Sequence, residues 1–143
     1  VTLNSMAHDI AGESPMNVHH NPTVEVHHLP GLVHQTLAGA RDGLRGFEVW
    51  RQTIATHAAT PVHRHACEEV IVIFSGAGVC HCEGREFAFK ADDTLVIPPN
   101  VVHQICNTGD AELAIMATLS MSPVKVETAD GEPMPLPWDH RPA

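Results

Sequence analysis

The sequence predicts an all-β fold, a single small barrel or sandwich, and three observations carry that expectation. Short runs of Val, Ile, Phe and Thr recur along the chain. Turns bearing Gly, Asp or Asn separate them about every eight to twelve residues, and no stretch shows the apolar period of an amphipathic helix. Evenly spaced short strands of this kind mark a closed antiparallel architecture.

The elements follow in order. Residues 1–23 have no period and include Gly12, Pro15 and Pro22, which predicts a flexible N-terminal arm. Residues 24–37 give short β segments broken at Pro30 and Gly31, and residues 47–55, FEVWRQTIA, alternate as a half-buried strand does. Residues 70–74 form an unbroken apolar run closed by Ser75-Gly76-Ala77-Gly78. Strands are expected next over 79–82, 86–89 and 94–97, separated by Glu83-Gly84-Arg85 and Ala91-Asp92-Asp93. Residues 102–106 and 113–119 flank Asn107-Thr108-Gly109-Asp110, which reads as a hairpin turn. From Pro123 the chain carries five prolines, so it is excluded from a central strand and is expected to lie across the outside. The organisation that results is an arm (1–23), one barrel domain (24–122) and a Pro-rich tail (123–143) on the barrel.

Composition narrows the function. A chain of 143 residues is one domain, large enough to bury roughly two thirds of its unfolded surface without staples. Lys plus Arg number 8 against 17 Asp plus Glu, a net charge of −9 that disfavours nucleic acid and anionic membrane surfaces. Tyr is absent, so no tyrosine takes part as acid, base or radical. Four Cys, no signal-like N-terminus and no long apolar run point to a reducing, cytoplasmic setting. The unusual count is 12 His.

The histidines matter most in PVHRHACEEVIVIFSG, residues 61–76. His63 and His65 are two apart and so share a face, with Glu69 following at the mouth of an apolar strand. His103 arrives after another apolar strand and a Pro-Pro break. Three imidazoles and one carboxylate converging on one interior suit a single divalent transition metal, Mn, Fe, Ni, Cu or Zn, without choosing among them. Such a set leaves open coordination positions at which a small molecule can chelate. Because the ligands must be deprotonated, occupancy should fall as pH drops through the imidazole range. Glu68 should face away as a solvated charge.

These two segments resemble the paired motifs of the cupin superfamily, in its small single-domain form. His63, His65, Glu69 and Gly76 fall on the first motif, and Pro98, His103 and Asn107 on the second. The resemblance covers roughly residues 45–120 and implies a double-stranded β-helix, or jelly-roll-like, barrel. His57, Asp92 and Asn100 stand where the family has glycine. Asn, Asp and His are the side chains that best tolerate the left-handed region, so these turns should survive.

Cupins include dioxygenases, decarboxylases, isomerases and non-catalytic binding modules, and the fold does not choose between them. The resemblance implies a small metal-dependent enzyme, a dioxygenase or an isomerase or decarboxylase, acting on an oxygen-rich or carboxylate substrate. The alternative is a metal-dependent small-molecule binding or sensor module without turnover. Single-domain cupins commonly pair, which implies a homodimer. Arg51 or Gln52, on opposite strand faces, is a candidate contact for an anionic substrate, and either Phe47 or Trp50 should line the interior. Cys80 and Cys82 should share one face with His81 on the other, and Cys67 and Cys106 are read as bystanders. Trp138 is expected to anchor the tail on the barrel surface or at a subunit contact.

Overall fold

The structure is a computed structural model that describes residues 15–139. The remainder of the expected arm and tail, 1–14 and 140–143, lies outside the described residues. In chain order the strands are β1 (His27–Leu29), β2 (Leu32–Ala38), β3 (Glu48–Ile54), β4 (Glu69–Ser75), β5 (Ala77–Cys82) and β6 (Arg85–Lys90). They continue as β7 (Thr94–Ile97), β8 (His103–Asn107), β9 (Leu113–Leu119), β10 (Val126–Glu127) and β11 (Pro133–Met134). Only two short 3-10 turns interrupt the described strands, Asn21–Thr23 and Ala40–Asp42. The fold is all-β, as the turn spacing requires.

A six-stranded sheet, β1-β2-β3-β9-β4-β7, and a three-stranded sheet, β6-β5-β8, share one core, while β10 and β11 pair as a separate hairpin. Alternation decides which residues enter that core. On β4, Glu69, Ile71 and Ile73 point inward and Val70, Val72 and Phe74 outward. Ile71, Ile73, Leu113, Ile115 and Leu119 of the large sheet meet Ile105 of the small one, each at most 2% exposed. Burying a side chain of this size contributes about 1.5–3 kcal/mol.

The loop at 107–110 is a turn but not a hairpin. β8 pairs with β5, whereas β9 pairs with β3 and β4, so the chain changes sheets there. Asn107 enforces the change: its Nδ2 donates to the carbonyls of Ile54 and Ala111, and its Oδ1 accepts from the Gly109 N–H. Local sequence specifies a reversal of direction, while the partner strand is chosen by burial elsewhere.

His57, Asp92 and Asn100 adopt φ of 67°, 72° and 65°, the left-handed conformation expected where the family pattern has glycine. At Gly76, φ is 94° and a Cβ would lie 2.9 Å from the Glu112 carbonyl and the Leu113 Cα, so only glycine fits.

Both flanking segments hold more tightly than their composition suggests. Gln35 Nε2 donates to the carbonyls of Asn21 and Val24, fixing that part of the arm on β2. The tail does not stay outside: Val124 and Val126 are 3% and 6% exposed and belong to the core. Its prolines are tolerated because β10 and β11 form an isolated pair in which Pro133 sits at an edge. Arg64 pins this hairpin through Nε to Glu127 Oε1 at 3.0 Å and through paired backbone bonds with Glu127. Among the described residues, no helix is long and apolar enough to cross a membrane.

Candidate metal centre and ligand cavity

Three parts of the fold bring His63, His65, Glu69 and His103 together. Glu69 opens β4 of the large sheet and His103 opens β8 of the small one. His63 and His65 lie in the connection from β3 to β4, outside any named strand. His63 is held there by reciprocal backbone bonds with His103, and the His65 carbonyl accepts from Asn100 N–H. One ligand-capable atom from each of the four lies within 4.8 Å of the other three. His103 Nε2 is 3.2 Å and His65 Nε2 3.6 Å from Glu69 Oε1.

The backbone also fixes which nitrogen is offered. Each Nδ1 faces a carbonyl: His63 that of Pro61 at 2.6 Å, His65 that of Lys125 at 3.3 Å, His103 that of Val101 at 2.8 Å. A carbonyl only accepts, so each Nδ1 carries the proton and donates it, which leaves each Nε2 a lone pair. Histidines bound to metals are usually oriented by such partners. His65 Nε2, Glu69 Oε1 and His103 Nε2 are fully buried and, with the three rings neutral, have no hydrogen-bond partner among the described residues. Buried polar groups are rarely left this way, and a cation among them would satisfy all three. The residues fit a divalent metal.

Electrostatics agree. Burial, reinforced by the charges of His103 and His65, lowers His63 to about 4. Burial also lowers His65, so both imidazoles are neutral and ready to ligate. For His103 burial lowers, but the Glu69 contact outweighs it and the net shift is upward. For Glu69 burial raises, but His103, then His65 and His63, hold the carboxyl below its ordinary value.

The cluster opens into a cavity of about 240 Å³. Its wall is apolar, formed by residues such as Leu32, Ile71, Ile115, Val126, Met134 and Leu136, with Gln52 and Thr60 as polar points. Apart from the four cluster residues, no ionisable side chain among the described residues lines it. Trp50 and Gln52 face this cavity, as β3 alternation requires. Arg51 and Phe47 do not. Arg51 points to the opposite face of the sheet and donates twice to Gln35 Oε1, at 3.0 and 2.7 Å; Phe47 precedes the strand and is 46% exposed.

Sequence reading missed the tail's part in the site. Trp138 is not a surface anchor but lines the cavity, because the β10–β11 hairpin carries residues 134–138 across its mouth. His34 was missed as well. It is completely buried and reaches Gln52 only through the register of β2 on β3, a pairing no local pattern reveals. The cysteines stay outside the chemistry: all four are free, and burial pushes the thiols of Cys67 and Cys80 up to about 11. Cys80 and Cys82 pack on the core side while His81 is exposed, and Glu68 faces solvent.

Comparison with known proteins places this architecture. The family described as Auxin binding protein matches residues 15–138. Auxin-binding protein 1 of Arabidopsis thaliana is 39% identical over 107 residues, 68% of this chain and 54% of that one. Auxin-binding protein T85 of Nicotiana tabacum is 39% identical over 117 residues, 73% and 63% of the two chains. This chain therefore spans between half and two thirds of the length of these relatives. Among solved structures, the polyketide cyclase RemF from Streptomyces resistomycificus superposes with a TM-score of 0.66 at 18% identity, covering 76% of this chain and 82% of that one. An RmlC-like cupin from Shewanella frigidimarina gives 0.65 at 18% identity, over 78% and 94%. At that identity the likeness shows the fold alone. With its barrel, its paired motifs and the extent of the family match, the chain belongs to the auxin-binding protein family of the cupin superfamily.

Proposed function

We propose that this protein is a metal-dependent binder of a compact monocarboxylate with a flat apolar body, of the kind its auxin-binding relatives are named for. One observation carries the reading: a cluster of three histidines and one glutamate is the sole ionisable feature among the described residues around a small, otherwise apolar cavity. A bound divalent cation supplies the positive charge a carboxylate needs, and His63, His65, Glu69 and His103 would hold it. Trp50, Trp138 and the aliphatic wall take up the apolar part, and Gln52 and Thr60 offer polar contacts. A polyhydroxylated sugar would leave most of its hydroxyls unpaired against such a wall, at a cost of about 1–3 kcal/mol each. Among the described residues, proton transfer by a dedicated side chain also has no candidate in the cavity wall beyond the cluster itself. That favours binding over the isomerase or decarboxylase chemistry known in other cupins.

The test is calorimetric titration of Zn(II)-loaded protein with auxin and with phenylacetate, beside a product assay under air and under nitrogen. Saturable, metal-dependent binding at one site per chain without product supports the reading. Turnover, or no binding of either acid, overturns it.

We infer also that the protein is a homodimer joined through the outer face of the large sheet. Val70, Val72, Phe74 and Val96 are 38%, 36%, 56% and 75% exposed there, with Val70 directly opposite Val96. Exposed apolar clusters of this kind mark contact surfaces. Val72→Asp should convert a dimer to monomer in sedimentation equilibrium; a wild-type monomer at micromolar concentration sinks this inference.

A further inference from the structure

We propose that His34, which is absent from the cavity wall, is the positioning residue that sets the length of ligand the cavity admits. It does so by holding Trp138 in place. The inference rests on the binding role proposed above.

The cavity beside the metal cluster is not the only one. A recess of about 580 Å³ lies beyond it, lined by Thr36, Glu48, Arg41 and Val124 among others. Trp50, Leu136 and Trp138 line both spaces, so these three side chains form the partition between them. Trp50 belongs to β3 and is anchored: its Nε1 donates to Glu48 Oε1 at 3.0 Å, and it is 5% exposed. Trp138 has no such tether. It lies past β11, and its buried Nε1 has no hydrogen-bond partner among the described residues. What fixes its plane is ring contact. Trp138 stacks on His34 with centroids 3.5 Å apart and planes 11° from parallel, and meets Trp50 edge-on at 5.4 Å.

His34 is suited to this task because it is buried and held at both ring nitrogens. It is completely buried, and Gln52 Nε2 donates to its Nδ1 at 2.9 Å. That leaves the ring proton on Nε2, which donates to Thr36 Oγ1 at 2.8 Å. Both ring nitrogens are thus tied to strands of the large sheet, and burial lowers its pKa to about 3, so the ring stays neutral near pH 7. A rigid, neutral, flat surface lies against the indole. Removing it takes away the closest ring face against the indole and leaves Trp50 and the more distant His27 ring at 6.2 Å, and the cavity gains access to the recess.

The experiment has two arms. In the first, 5-fluorotryptophan is incorporated at the chain's two Trp positions, and Trp138→Phe assigns the 19F resonances without any ligand present. The solvent isotope shift of the Trp138 signal should be small in the wild type. It should grow in His34→Ala and stay small in His34→Phe, which keeps a stacking surface. In the second arm, Zn(II)-loaded proteins are titrated with phenylacetate and its longer homologue 4-phenylbutyrate. His34→Ala should move the affinity ratio about tenfold toward the longer acid, the size of effect expected when a pocket gains room for methylenes. His34→Phe should keep the wild-type ratio, and Co(II) affinity should be unchanged in both variants. A role limited to stability would weaken both acids alike and leave the ratio where it was. An unchanged Trp138 signal in His34→Ala, or an unchanged ratio, overturns the proposal. If neither acid binds the wild type, the binding reading fails on its own, and the fluorine arm still decides the role of His34.

Discussion

Buried histidines occupy two settings near one cavity, and burial has opposite consequences in them. In the first, His65 and His103 each have one ring nitrogen bonded to a carbonyl and the other buried with no hydrogen-bond partner, beside the equally orphaned Glu69 Oε1. In the second, His34 is just as deeply buried, but both nitrogens are bonded, to Gln52 and Thr36. A buried polar atom without a partner costs about 1–3 kcal/mol. Where three such atoms point at one another, the arrangement suits a cation that would satisfy them. Where all are satisfied, the residue belongs to the scaffold. Imidazole type and depth are the same in both; the state of the second nitrogen separates ligand from support.

The largest expected effect breaks the first cluster. His103→Ala removes a proposed ligand and should lower Zn(II) affinity by more than the roughly 10–100-fold typical of losing a supporting contact, read by competition with a chromophoric chelator. His34→Phe in the same assay should change little. Retained affinity in His103→Ala would place the metal elsewhere.

The next effect concerns pH. The metal needs the lone pair of His103 Nε2, and the Glu69 contact raises the His103 pKa whereas burial lowers those of His63 and His65. A protonated His103, whose Nε2–H would meet Glu69 Oε1, therefore gives up one proton on loading. Affinity should climb with pH by up to about tenfold per unit until His103 has titrated, then level off. Proton release measured with an indicator dye checks this; release of two or more protons at neutral pH would contradict the assignment of His63 and His65 as already neutral.

A smaller effect separates wall from centre. Trp138→Ala should weaken phenylacetate about tenfold while leaving Zn(II) affinity within a few-fold, since it removes aromatic contact of the order of 1 kcal/mol or somewhat more. Equal losses of both would mean that the tail supports the metal ligands, through Lys125 and His65, more than it shapes the cavity.

The smallest effect is on acid stability. The folded-state pKa of His34, about 3, lies below the ordinary value of 6.5. Between the two the unfolded chain binds the extra proton, so stability is lost as pH falls through that window. His34→Phe should make the acid limb of the unfolding curve shallower by at most about 1.4 kcal/mol per pH unit. If wild type and His34→Phe lose the same stability between pH 6.5 and 4.5 in urea titrations, His34 is not neutral in the fold.

Much of the barrel is readable because strand and turn chemistry are local. β7 and β9 occupy the stretches that the turn residues mark off, and His57, Asp92 and Asn100 take the conformation their side chains tolerate. The grouping of His63, His65 and Glu69 is local too, since a short connection and one strand entry hold all three. His103 is distant in sequence, and its motif spacing is what ties it to them. The hairpin expected at 107–110 failed because a turn fixes a change of direction but not which strand is met next.

By itself, then, the order of residues determined the strands and their inward faces, consequences of periodicity and side-chain type over short spans, and through motif spacing the four side chains that could hold a cation. The tertiary structure decided the rest. It selected Gln52 over Arg51 for the interior, drew Val124 and Val126 into the core, and brought Trp138 back onto His34, 104 positions earlier in the chain. Those outcomes depend on sheet register and on a tail folding over a mouth that exists only once the barrel has closed. No local pattern encodes them, because the contacts that hold them are made between segments that share no local period.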